Sequence, residues 1–99
     1  MDYTPTDGLP PGFREAYEAL RESFRSGLAE RWREIEHARN HTALIAALHR
    51  LAGAAGSYGF PAISTAARAA QNQAEAGAGP ALASALDDLR RAMPGAEGP

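Results

Sequence analysis

The stretch HRLAGAAGSYG, His49 to Gly59, decides how the chain is read, because it places glycines at 53, 56 and 59 directly behind a strongly helical segment. If the helix ended at Gly53, the chain would be a set of short helices with a loop in the middle. If it runs on to Ser57–Gly59, one long amphipathic element carries His49 near its centre. The apolar positions favour the second reading. Leu44, Leu48, Leu51 and Ala55 keep helical spacing straight through the glycines. Asn40 precedes them as a fitting N-cap, and Gly59 fits the position at or beyond the C-cap, where a left-handed residue closes a helix.

Continuing the helix has a cost. Each interior glycine destabilises a helix by about 1 kcal/mol relative to alanine. Gly53 and Gly56 together cost on the order of 2 kcal/mol, against a total stability of roughly 5–15 kcal/mol for a domain. The chain uses 23 alanines, so the better helix former is common here. At 100° per residue, Ile45, His49, Ala52, Gly53 and Gly56 gather on one side, away from the leucine stripe. Two explanations remain open: small residues that admit a neighbouring helix, or a surface kept flat so that a macromolecule can reach the imidazole.

The remainder of the chain follows the same grammar. Phe13, Tyr17, Leu20, Phe24, Leu28, Trp32 and Ile35 form one stripe, which predicts a long helix over 11–38, opened by Pro10–Pro11 and kinked or split at Ser26-Gly27. Pro61 opens a third helix over 61–76 with Ile63, Ala66, Ala67 and Ala70 inward. AGAGP is a turn, and Pro80 opens a fourth helix with Leu82, Leu86, Leu89 and Met93 as its stripe. β-branched residues are scarce: three isoleucines, four threonines and no valine, which argues against a sheet. The expectation is all-α: an antiparallel four-helix bundle over 11–93, with a flexible arm at 1–10 and a disordered tail at 94–99.

Composition narrows the function classes. Ten basic and twelve acidic residues are interspersed and give a formal net charge of −2, so no basic stripe points to nucleic acid. There is no cysteine for a disulfide or a thiolate metal site. No run of 18 apolar residues exists and MDYTPTDG is not a signal peptide, so a cytoplasmic protein with no membrane contact is expected. All ten basic residues are arginine, a hint of a GC-rich bacterial genome. His37 and His41 are four apart, but the expected break at 38–40 separates them, and the reading is two solvated histidines with no metal. Trp32 is expected in the core, and Tyr58 and Phe60 in packing. Asp87, Asp88, Arg90 and Arg91 are read as a solvated helix face with charge pairing. Ser57 and Ser64 have no acid–base partner at a workable spacing.

At the histidine, the sequence resembles a known family. His49, Leu51, Gly53, Ala54, Ala55, Gly56 and Gly59 follow the signature of the histidine phosphotransfer (HPt) domain, with Ile63 at an apolar family position and Gln71 where some members carry a glutamine beside the active histidine. The motif resemblance covers residues 41 to 73, and the bundle architecture extends it to the whole chain. The resemblance implies that His49 accepts a phosphoryl group from one receiver-domain aspartate and passes it to another. The partners it implies are response-regulator receiver domains or a hybrid histidine kinase. It also implies a phosphocarrier rather than an enzyme, with no cofactor of its own and Mg²⁺ left on the receiver. The chemistry suits the residue type, since a free imidazole titrates near about 6.5 and is largely neutral and nucleophilic at pH 7.

The docking face the resemblance implies is Ile45, His49, Arg50, Ala52, Gly53 and Gly56. The sequence departs from the family at one place. Many members carry lysine three residues after the histidine, where this chain has Ala52. Arg50 and Arg68 are the candidate substitutes for that cation, with Gln71 as the third neighbour; Arg50 lies 100° round the helix from His49. A second reading, from another class, is a helical module that binds a receiver or kinase without carrying phosphate. A monomer is expected.

Overall fold

A computed structural model describes residues 10–77 and 79–94. Of the expected arm at 1–10 and tail at 94–99, residues 1–9 and 95–99 lie outside the described residues. Five helical segments follow one another: α1 (Phe13–Ser26), α2 (Leu28–Glu36), α3 (His41–Ser57), α4 (Pro61–Ala76) and α5 (Pro80–Ala92). Helices α1 and α2 are the expected long helix, split at Gly27. The Gly27 N–H still reaches Ser23 O and Phe24 O, and Arg31 N–H bonds Gly27 O, so the split is a hitch in one rod. Counting that rod once gives the four helices of a bundle.

The boundaries have local causes. Pro10–Pro11–Gly12 do not start the first helix, contrary to expectation. They form a tight turn in which Phe13 N–H bonds Pro10 O at 3.1 Å and Gly12 takes φ +86°. A proline at the second position and a left-handed glycine at the third is the type II pattern. Asn40 Oδ1 accepts from Ala43 N–H at 2.8 Å and starts α3 as expected. Gly59, at φ +78°, closes it: Phe60 N–H reaches back to Ala55 O at 2.8 Å and Gly59 N–H to Gly56 O at 3.4 Å. That pair of bonds is a Schellman motif. Pro61 and Pro80 occupy first turns, where a missing N–H is harmless.

The core is centred on Leu28, Leu48, Leu51, Leu89 and Met93, all fully buried. On α3 and α4 it is built largely from small residues: Ala52 and Ala55 on α3 and Ala67, Ala70 and Ala74 on α4 are all buried in it. The two helices therefore approach closely enough for Ser64 Oγ to donate to the backbone carbonyl of Ala52 at 2.9 Å. Trp32 is half-buried rather than central, packed on the core edge where it lines an open cleft with Leu44 and Leu86.

The first helix deviates most from its sequence pattern. Phe13 and Leu20, expected in the stripe, are 44% and 51% exposed. Only the part of α1 that passes the α3–α4 corner is covered. There Phe24 packs on Tyr58 and Phe60, with ring centroids 5.5 and 5.2 Å apart. The Arg21 guanidinium lies over the Phe60 ring at 4.8 Å.

Candidate functional site

Helix α3 carries His49 on its exposed side. The residues one and two turns onward, Gly53 and Gly56, are also exposed, so a bare lane runs from the imidazole toward the C-terminus of the helix. The two glycines differ. A Cβ built on Gly53 would meet nothing within 4 Å. A Cβ on Gly56 would lie 3.4 Å from Ser64 Oγ, at the near edge of ordinary contact. Close helix packing therefore bears on Gly56 and offers no reason for Gly53.

The flanks of the lane follow from the cross-helix bonds. His41 Nε2 donates to the carbonyl of Ala74, and Ser64 Oγ to that of Ala52, which sets the antiparallel register of α3 and α4. Three residues before Ala52 is His49, and three after Ser64 is Ala67. Arg68 is one residue further, about 1.5 Å along the axis. On α4, Ser64, Arg68 and Gln71 follow a four- and three-residue step and share one edge. Ser64 shows that this edge faces α3. Arg68 is exposed on it and Gln71 half-buried. The structure thus brings Arg68 and Gln71 to the α4 flank of the lane.

Two expected members of the site are placed elsewhere. Ala52 was expected on the docking face, yet it is 3% exposed and packed into the α3–α4 interface, where its carbonyl takes the Ser64 hydroxyl. On the helical wheel it lies 60° from His49 toward α4, and the neighbouring helix covers that sector. Arg50 was expected beside the phosphate. Its guanidinium instead pairs with Glu34 of α2 on the opposite flank. Ile45 is half-buried against the core and offers only its edge to the surface.

Sequence reading missed the clamp that holds the end of α3. Tyr17 O–H donates to Ser57 O at 3.2 Å and Arg21 Nε to Tyr58 O at 2.7 Å. These are carbonyls that the helix itself leaves unpaired, and a cation is favourable at that negative end. The available signal was the lack of any basic residue in the last turn of α3, which leaves the role to another element. His37 and His41 serve separate carbonyls: His37 Nδ1 lies 3.1 Å from Arg33 O, while His41 bonds Ala74. Among the described residues no group of three His, Cys, Asp or Glu side chains is arranged to hold a metal. No helix among them is long and apolar enough to cross a membrane. Arg91 pairs with Asp87 and Asp88, as the charge spacing on α5 suggested.

The family model of the Hpt domain matches residues 14–97, nearly the whole chain. The chain belongs to the Hpt domain family. Hpt domains are phosphocarriers rather than enzymes, and they act in histidine phosphotransfer within two-component signalling, where they interact with receiver domains and kinases. The all-helical bundle agrees with that membership. Neither the curated proteins nor the solved structures compared with this Hpt chain gave a match.

Proposed function

We propose that His49 is the phosphoacceptor, relaying a phosphoryl group between receiver-domain aspartates. The observation that carries this reading is Gly53: an interior helical glycine, costing about 1 kcal/mol relative to alanine, with open space where its side chain would be. Stability within this fold gives no reason to keep it. A flat approach to the adjacent imidazole does. Gly56 and the edge of Ile45 extend the same docking surface.

The step is an in-line displacement. A lone pair on an exposed imidazole nitrogen attacks phosphorus, the N–P bond forms, and the P–O bond to the donor aspartate breaks with its electron pair returning to the carboxylate. The proton on the second ring nitrogen stays or passes to water. The reverse step delivers the group to the next receiver. Positioning and charge neutralisation dominate such transfers. The receiver supplies the Mg²⁺, and His49 is the nucleophile. We assign Gln71, half-buried on the same α4 edge, as the hydrogen-bond partner of the ring. The arginine-only basic residues and the alanine-rich composition support a bacterial source, and we place the relay in the cytoplasm with the chain acting as a monomer.

A second reading has one observation in its favour. Ala52 offers no charge beside His49 and Arg50 is engaged by Glu34, which suits a module that docks on a receiver without taking phosphate. One experiment separates the two. Incubation with a phosphorylated receiver domain should place an acid-labile label on the protein, and His49→Gln should abolish it while helix content and receiver binding persist. Binding with no label on the wild type would favour the docking module. Label that survives His49→Gln would overturn His49 as the acceptor.

A further inference from the structure

A phosphoryl group on an exposed helix carries between one and two negative charges and three strong acceptor oxygens at neutral pH. Where its counter-charge comes from is a question the bare lane makes acute. Arg50 follows His49 on α3, and Arg68 stands on the α4 edge that borders the lane. Arg50 is turned away by 100° and held by Glu34. Arg21, Arg25, Arg33 and Arg91 are likewise paired with acids.

Among the described residues no acid lies within ion-pair distance of Arg31, Arg39, Arg68 or Arg90, and of these four only Arg68 is on α4, the helix that borders the lane. The helical neighbours of Arg68 three and four residues away are Ser64, Thr65, Gln71 and Asn72, all neutral. It stands on the α4 edge that Ser64 holds against α3, within about one residue's rise of the His49 level. The groove it would cross is bordered by buried Ala52 and by Gly53, the smallest side chains available.

We infer that Arg68 binds the phosphoryl group on His49, supplying from α4 the positive charge that α3 itself lacks beside the imidazole. The inference rests on His49 being the acceptor. The guanidinium presents several N–H donors in a plane and forms charge-assisted bonds to phosphoryl oxygens. It takes no proton and makes no covalent bond. Its effect is to favour the phosphorylated form of this protein over the phosphorylated form of the partner.

The test is the equilibrium distribution of label between this 99-residue chain and a receiver domain phosphorylated with a small phosphodonor, then freed of donor. Because this ratio concerns the free partners, docking strength does not alter it. Arg68→Gln should lower the ratio of label on His49 to label on the receiver about fivefold, the size of an exposed charge interaction of about 1 kcal/mol. Arg68→Lys should retain most of the wild-type ratio, and the gap between wild type and Arg68→Gln should narrow with added salt. Helix content by circular dichroism should match in all three. A ratio in Arg68→Gln equal to wild type overturns this inference and leaves His49 as acceptor. No label on the wild-type protein overturns both.

Discussion

The two faces of α3 obey opposite rules within the same 17 residues. One face, with Leu48, Leu51, Ala52 and Ala55, is buried, and each side chain there is set by what it touches. The other, with His49, Gly53 and Gly56, is exposed. On the buried face a small residue marks a close neighbour: Ala52 is small because α4 lies on it, with Ser64 bonded to its carbonyl. On the exposed face the smallest residue, Gly53, has nothing beside it. Small size in the first case reflects packing inside the fold. In the second it points to something outside the fold.

That contrast can be broken by mutation, and the largest effect belongs to the buried face. Leu51→Ala should cost about 2–5 kcal/mol, the range for a large-to-small change in a core. Denaturant unfolding followed by circular dichroism measures it, and a loss below 1 kcal/mol would mean that the face is less tightly packed than the structure shows. Next comes the exposed face loaded with bulk. Gly53→Trp should leave the helix intact and slow phosphotransfer from a receiver by about tenfold, the equivalent of roughly 1.4 kcal/mol of docking. Unchanged transfer would remove the reason given for the glycine.

A smaller effect sharpens the same comparison from the other side. Gly53→Ala should raise stability by about 1 kcal/mol, since alanine is the better helix former and its methyl group meets nothing. A destabilised Gly53→Ala protein would reveal a neighbour that the structure lacks. The smallest effect is expected at the α2 flank. Glu34→Gln breaks an exposed ion pair with Arg50 and should cost at most about 1 kcal/mol. It should also leave the label on His49 unchanged, because Arg50 faces away from the lane.

What the sequence made legible was what depends on residues near in the chain. The stripe of Leu44, Leu48 and Leu51, the Asn40 cap and the Gly59 terminus are local, and all of them stand as read. The prolines at 61 and 80 open helices for the same reason. The misreadings share one cause. A helical wheel gives the angle of a side chain and is silent on which sector a neighbouring helix covers. Ala52 was grouped with His49 across 60° of arc, but α4 takes that sector. Phe13 and Leu20 repeat with the same period as Phe24, yet only Phe24 has Tyr58 and Phe60 opposite it. The clamp from Tyr17 and Arg21 to the end of α3 joins residues some 40 positions apart, and periodicity carries no trace of it.

The chain has three histidines, and the account assigns phosphate to one of them. His37 and His41 are exposed too, but their rings lie against backbone carbonyls, while His49 stands at the head of the bare lane. The most direct measurement is therefore to phosphorylate the wild-type protein from a receiver domain and map the modified residue by mass spectrometry under alkaline conditions that preserve phosphohistidine. The account predicts phosphate on His49 and on neither of the others. Phosphate on His37 or His41, with His49 unmodified, would contradict it.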